Sequence, residues 1–519
     1  MARTKILIAG AGISGLAIAI MLERLPEDKK VDYLILERSV MMSSMGSAVS
    51  LHTAVFPLLK QLGIWSEIER ISKPMSHFCI KRADGSDLGT VDYAYGDLEY
   101  SYYGVVMARP ELHSILMSHV PSTKIVLGKR IIATTQDDTG VSCHCADSTI
   151  YHANILIGAD GAYSAVRQSL YKDLWAHGNL PRQDISPIKL DQVVVVGITE
   201  PLSPADYPML KEDVCQFRIV LGGHDRPYTM WMVPLTNNRL GWSIGGRSNA
   251  SDGSSFWSES QDEATDSYAH ANDNTRNADW SEAETESIDE ICSQMRTKRN
   301  PFGFGTYGDL IDKTPRQKIS KVMFEEKGFR TCMPQGVVNA MFDGACLVNL
   351  IHDLSSRPTM DDLGELFQTY FERRYPAARI AIEGSSQFSR LFHDQAQVEE
   401  DGRVVMYNSI PRWLQRWTLD RNNKVDPQLD FVLTKMSRTP SIQSFSTVLD
   451  ETALFESDEP TLAPQSRVSF SAASVAAAAA ALAAGAAGVD DSDVMAIASP
   501  PSVPVDIPRH GSYNNRSFS

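Results

Sequence analysis

Gly10, Gly12 and Gly15 stand at G-x-G-x-x-G spacing in the stretch GAGISG, and Glu37 closes the next apolar run, 22 positions after Gly15. These residue types suit the holding of a nucleotide. A glycine in the first place permits a tight turn out of a strand, and bare backbone in the second admits a pyrophosphate. The third lets a helix press against that strand. The N–H groups that open a helix carry partial positive charge, which an anion neutralises. A carboxylate at the end of the following strand accepts from both ribose hydroxyls. The spacing alone also fits a plain strand-to-helix turn. The placing of Glu37 selects the dinucleotide site.

The elements around these residues have the right order. KILIAG is a short apolar run, AIAIMLERL has helical periodicity, and VDYLILE is a second buried run. Strand, turn, helix and strand make a βαβ unit that opens a parallel sheet. KIVLGKRI, GVSCHCA and HANILIGADG read as further strands. Gln192 to Arg247 is strand-rich and reads as a separate antiparallel sheet. Residues 251–286 are acidic and poor in aliphatics, the composition of a solvated insertion. Helical patterns dominate from Val337 to about Met436. The fold class is α/β, a Rossmann-like FAD/NAD(P)-binding domain with an inserted antiparallel-sheet substrate domain and a helical C-terminal region. Residues 1–185 and 321–395 form the two parts of the binding domain, 186–320 the substrate domain, 396–455 the helical region and 456–519 an Ala/Ser/Pro-rich tail.

Composition removes some functions. Lys+Arg 49 against Asp+Glu 64 gives a net charge of −15, against a nucleic-acid surface. Seven scattered cysteines suit a reducing compartment, and the N-terminus runs into a glycine motif rather than a cleavage site. The expectation is a cytoplasmic protein. Val468 to Val489 is uncharged and long enough to cross a bilayer, but its alanines contribute little transfer energy, so a free tail is preferred to a membrane anchor. Cys143 and Cys145 flank His144 on a strand whose faces alternate, which disfavours a metal site.

Three further stretches decide which dinucleotide. RPEL begins a helix at Arg109, GADGAYSAVR follows a buried strand at Gly158 to Arg167, and CMPQGVVNAMFDG spans Cys332 to Gly344. With the glycine motif they resemble the FAD-dependent aromatic hydroxylase class of flavoprotein monooxygenases. MGSAVSLHTAVFPLLKQLGIW and GDLIDKTP are similar to segments of the fungal paxilline-pathway type. The resemblance covers roughly residues 4 to 395. It implies FAD and NADPH (or NADH) as cofactors and oxygen transfer to an aromatic ring or alkene of a small, largely apolar metabolite. It assigns the pyrophosphate to Gly10, Gly12 and Gly15, the ribose to Glu37, and the segment beneath the cofactor to Gly46. Arg109 would touch the FAD chain and Asp160 the FAD/NADPH cleft. Arg109 also fits a surface ion pair, and Asp160 a turn or helix N-cap. Arg218 and Tyr228, in the strand-rich middle, are the catalytic candidates because some relatives use an Arg and a Tyr there; a structural pair is the other reading. Trp231, Met232 and Trp242 are expected to cover the flavin or to fill the core.

One family feature is missing. The family carries a strand ending in Gly-Asp before its Pro-x-x-Gly loop, whereas this chain passes from Glu325-Glu326 to Met333-Pro334 without it. Pro334 and Gly336 fit the loop and the helix after it. The alternative to an active monooxygenase is therefore a flavin-fold protein deficient in FAD. An NAD-dependent dehydrogenase is disfavoured, since RPEL and GADG have no role in one.

Overall fold

In a computed structural model of the chain, the described residues are 3–42, 46–92, 104–161, 164–180, 190–222, 228–247, 282–303, 305–325, 335–355, 358–393 and 428–432. Residues 1–443 form one compact unit and 444–519 a second. The second unit, most of the acidic stretch and the junction 326–334 lie outside the described residues.

In chain order the elements are β1 (Lys5–Ala9), α1 (Ile13–Glu23), β2 (Asp32–Leu36), β3 (Ala48–His52), α2 (Phe56–Gln61), α3 (Trp65–Ile71), β4 (Lys73–Arg82), β5 (Asp87–Asp92), β6 (Gly104–Ala108) and α4 (Arg109–Ser118). Next come β7 (Ile125–Val126), β8 (Ile131–Asp137), β9 (Gly140–Cys145), β10 (Ile150–Ala153), β11 (Ile155–Gly158), α5 (Ala165–Ala176), β12 (Leu190–Ile198), β13 (Cys215–Leu221), β14 (Tyr228–Leu235) and β15 (Arg239–Arg247). The last are α6 (Glu282–Met295), α7 (Tyr307–Asp312), β16 (Ser320–Glu325), α8 (Gln335–Asp353) and α9 (Met360–His393).

A parallel sheet runs β11-β1-β2-β7, with Lys5 opposite Asp32 and Ile6 opposite Ile155. This is the Rossmann-like sheet expected from the first βαβ unit. α1 is apolar on every side, and Leu16, Ala17, Ala19 and Met21 are fully enclosed. A helix of that pattern must be covered all round. α8 supplies much of the cover: a methyl at Gly344 would come 2.9 Å from Ile18. A short segment far along the chain is fastened to the same core. Gln61 Nε2 donates to Leu429 O and Val432 O at 3.1 Å, and Leu429 N donates back to Gln61 Oε1 at 2.8 Å.

The middle region differs from expectation. Its strands do not form a separate sheet. They continue a sheet ordered β16-β12-β15-β14-β13-β4-β6-β3, with β5 paired to β4, so strands from the first hundred residues share it. β13 and β4 run parallel, with Arg218 opposite Cys79 and Ile219 opposite Ile80. Alternation divides this sheet into two faces. On the outer face Val193, Val195, Tyr228, Met230, Met232, Leu240 and Trp242 pack against α6 and α7. On the inner face Phe78, Ile80, Phe217, Ile219, Trp231 and Val233 pack with Ala48 and Ala108, at the borders of the glycine-motif domain. GDLIDKTP supplies α7, whose N-terminus is a capping box between Thr306 and Asp309.

His52 ends β3 and starts a short 3-10 turn by accepting from Ala54 N at 3.1 Å through Nδ1. Burial lowers its pKa from 6.5 to about 4. A depressed folded-state value means that protonation favours the unfolded chain. The stability it contributes is complete above pH 6.5 and is lost as pH falls toward 4. His52→Asn keeps an acceptor for Ala54 N and removes the titration. Chemical denaturation at a series of pH values should show the wild type losing about 3 kcal/mol more than this variant on acidification; parallel curves would contradict the assignment.

Candidate functional site

The glycine turn is held by its neighbours on three sides. Gly10 N donates to Leu36 O at 2.8 Å, and Ala159 N donates to Ala9 O at 2.9 Å. The next peptide is gripped at both ends. Ala11 N donates to Glu37 Oε2 at 2.7 Å, while His113 Nε2 donates to Ala11 O at 2.8 Å. The other Glu37 oxygen accepts from Ser39 N at 2.8 Å. Glu37 is 9% exposed, so its charge is offset by these amides rather than by water. Sequence reasoning missed His113. It lies four residues after Arg109 on α4, and that i, i+4 spacing is the only signal that could have found it.

The three glycines are required for different reasons. Gly10 has φ +96, and a methyl there would sit 2.7 Å from Ala159 O. A methyl at Gly15 would lie 2.1 Å from Gly10 O, an overlap that forbids any side chain. At Gly12 a methyl would meet nothing within 4 Å. Gly12 is the N-cap of α1, no side chain caps that end, and no acidic residue lies in the first turn. Open space therefore faces the uncapped N–H groups of an eleven-residue helix, beside a buried carboxylate.

Gly46 and Arg109 are also brought together. Gly46 has φ +129, and a methyl there would lie 3.2 Å from Arg109 Cδ. Arg109 N donates to Ser47 O at 2.8 Å, which ties α4 to the same segment. Desolvation holds the Arg109 guanidinium below the usual arginine value, a shift that an anion beside it would oppose. Ser47 Oγ reaches across to Gly197 O at 3.1 Å and Trp242 O at 3.2 Å, fixing this segment on the inner sheet face.

The N-cap of α5 is Ser164, whose Oγ accepts from Arg167 N at 2.9 Å, rather than Asp160. Asp160 reaches the same helix end from four residues earlier. Its Oδ2 accepts from Ala165 N at 2.7 Å and Val166 N at 3.3 Å, at the start of α5. Its Oδ1 is buried without a partner. Holding that helix end and meeting a cofactor are thus compatible, one oxygen each. Gly336 lies in the first turn of α8 with open space around it, but the loop before it is outside the described residues.

Arg218 and Tyr228 do not join this group. Alternation puts both on the outer face, away from Ser47 and Ala48. Arg218 Nη2 bonds Glu212 Oε1 at 2.6 Å, and Tyr228 meets the ring of Tyr307 edge-on. Met232 and Trp242 lie on that side too, fully enclosed; Trp231 alone of the three faces inward. The inner face carries a residue that composition could not single out. Ser243 is fully buried and its hydroxyl has no partner. Cys143 and Cys145 point into a core and His144 away from it, and no metal-binding cluster occurs among the described residues. No helix among the described residues is long and apolar enough to cross a membrane.

A cofactor fit follows from these features. The open N-terminus of α1, the buried Glu37 carboxylate and the orphaned Asp160 oxygen suit the adenosine and pyrophosphate half of FAD. The fold and site define a Rossmann-like α/β protein with a second, sheet-rich lobe. The family model described as FAD binding domain matches residues 3–242. The chain is 24% identical over 237 residues to the FAD-dependent monooxygenase pyr5 of Aspergillus fumigatus, covering 44% of this chain and 50% of that protein. It spans about half the length of that first relative and less of the next two. It is 23% identical to the FAD-dependent monooxygenase pynG of Aspergillus niger, over 80% of this chain and 94% of the other. Among solved structures it shares its fold with Klebsiella pneumoniae HpxO complexed with FAD and uric acid. The TM-score is 0.53 at 16% identity, over 81% of this chain and 93% of that one. The 2,6-dihydroxypyridine-3-hydroxylase of Arthrobacter nicotinovorans gives a TM-score of 0.54 at 18% identity, over 78% and 96%.

Two glycine substitutions separate site from scaffold. Gly15→Ala should destabilise the fold by several kcal/mol, because backbone must move to admit the methyl. Gly12→Val should leave the melting temperature of the flavin-free chain nearly unchanged and weaken FAD binding at least about tenfold, the loss of one good contact. Thermal melts with and without added FAD check both. Equal effects of the two substitutions on the flavin-free chain would contradict the geometry.

Proposed function

We infer that the chain is an FAD-dependent monooxygenase that uses a nicotinamide nucleotide and O2 to hydroxylate or epoxidise a small, largely apolar metabolite. The observation that carries this reading is the Ala11 peptide fixed between Glu37 and His113 beside the open end of α1, in the segment matched by the FAD-binding family. The fungal relatives named as FAD-dependent monooxygenases support oxygen transfer, and their fungal origin fits a role in secondary metabolism. Bound FAD would supply the redox chemistry by which an oxygen atom from O2 reaches the substrate. The chain's own residues bind and orient. Glu37 would accept from the adenosine ribose, and the N–H groups of α1 would face the pyrophosphate. Arg109 would meet the FAD chain over Gly46. The inner sheet face, with Trp231 and Phe217, would close the substrate space against water.

A second reading has its own observation. β11 pairs with β1 on one edge, and among the described residues no strand pairs with the other. In the family this resembles, a strand ending in Gly-Asp precedes α8, and its aspartate holds the ribityl chain. β16, the strand before α8 here, belongs to the other sheet. A chain without that aspartate would bind FAD weakly or not at all.

Two measurements test the proposal. The purified full-length chain should be yellow, or become so with added FAD, and should oxidise NADPH faster with substrate present. A colourless protein that takes up no FAD would overturn it and favour the second reading. Glu37→Ala should weaken FAD binding about ten- to a hundredfold, the worth of a hydrogen bond to a charged group.

A further inference from the structure

The outer face of the large sheet carries a cavity of about 710 Å³ that the proposed reaction does not use. It opens where β13, β4 and β5 lie side by side. Arg218, Cys79 and Thr90 stand level across the three strands. Pro301 and Phe302, from the connection between α6 and α7, form a wall over them.

The wall is rich in donors, although each of its two cations also has a carboxylate beside it. A guanidinium has five N–H donors. Arg218 commits one to Glu212 Oε1 at 2.6 Å and one to Gln216 O at 3.3 Å, and no further acceptor for the rest occurs among the described residues. Cys79 Sγ donates to Gln216 Oε1 at 3.0 Å, which leaves the Gln216 amide NH2 as a donor. Lys81 Nζ stands 5.4 Å from the centre of the Phe302 ring and the Arg218 guanidinium 5.9 Å from it, so one ring steadies both cations. The carboxylate lining the cavity belongs to Asp87. It lies 3.4 Å from Lys81 with its side chain 80% exposed, a pair weak enough for a competing anion to replace. The Arg218 side chain is only 9% exposed, a charge held where water is scarce. Donors and two cations therefore converge beside an aromatic surface, in a volume suited to a drug-sized molecule.

We propose that this cavity binds a small carboxylic acid with an apolar body, its carboxylate held by Lys81 and Arg218 and its body laid against Pro301 and Phe302. The site faces away from Gly46, Arg109 and the inner sheet face, so it is separate from the proposed flavin and substrate space. Its occupant is neither of those ligands.

Cys79 provides the readout. It is half-buried in the cavity, whereas Cys143, Cys145, Cys215 and Cys292 are buried. Burial raises the Cys79 thiol above its usual value, so alkylation is slow and sensitive to access. The full-length chain is treated with iodoacetamide in the presence of benzoate or its neutral isostere benzamide, and modification of the Cys79 peptide is followed by mass spectrometry. Benzoate should slow the reaction several-fold, and benzamide should not. Lys81→Met, at a partly exposed position, should raise the half-protecting benzoate concentration about tenfold, the worth of one ion contact. Arg218→Gln combined with Glu212→Gln, which leaves no unpaired charge, should abolish protection. Equal protection by benzamide, no protection by benzoate, or protection unchanged in Lys81→Met would overturn the proposal. Flavin absorbance of the same samples reports the cofactor site independently, so a failure there is distinguishable from a failure here.

Discussion

One peptide group organises the glycine-motif domain. The N–H of Ala11 points to Glu37 and its carbonyl to His113, so the turn between β1 and α1 is fixed by side chains from β2 and α4. A glycine-rich turn has many conformations open to it, and the hydrogen bond to the Glu37 carboxylate contributes about 1.5–3 kcal/mol toward one of them. Fixing that peptide fixes the direction of α1, and with it where the open helix end points. The same helix α4 carries Arg109, which pins the Gly46 segment and through Ser47 reaches the second sheet. The path from the turn to the inner sheet face thus runs through one short helix.

The turn was legible in the sequence because its requirements are local. Gly15 must lack a side chain where a helix presses on a strand, and Gly12 must lack one where something else is to lie; both demands fall within six residues. The βαβ order and the placing of Glu37 at the end of β2 were legible in the same N-terminal stretch. His113 was invisible there, since its bond to Ala11 spans 102 residues and nothing in RPELH announces it.

Long-range order explains the misplacements. Arg218 and Tyr228 were expected because some relatives use an Arg and a Tyr in this sheet, and a match of residue type does not say which face of a strand a side chain occupies. Facing depends on register, and a shift of one residue exchanges the faces. Here β13 is aligned on β4, a strand begun 142 positions earlier (215 − 73), and that parallel pairing turns Arg218 outward and Phe217 inward. The same alternation sends Met232 and Trp242 under α6 and α7. The merging of both strand groups into one sheet was equally hidden, because pairing partners so far apart leave no local mark.

The edge of β11 that no strand pairs among the described residues sets two halves of the cofactor against each other. Everything that suits the adenosine and pyrophosphate lies between β1, β2, α4 and the Asp160 turn, on elements held together by the bonds of Gly10, Ala11 and Ala159. By the family resemblance, the ribityl and ring end would depend on a strand and Gly-Asp turn before α8, where the junction 326–334 lies outside the described residues. Losing one aspartate hydrogen bond costs about 1–3 kcal/mol, a weakening of roughly ten- to a hundredfold that tight binders can absorb. An exposed strand edge is a different cost, since it invites pairing with another chain. Ile155 and Ile157 on β11 are nonetheless buried, and α8 packs along α1, with Gly344 set against Ile18 and Met21. The hydrogen bonds that fix the Ala11 peptide come from β2 and α4, so the adenosine side of the site is built without the residues of that junction.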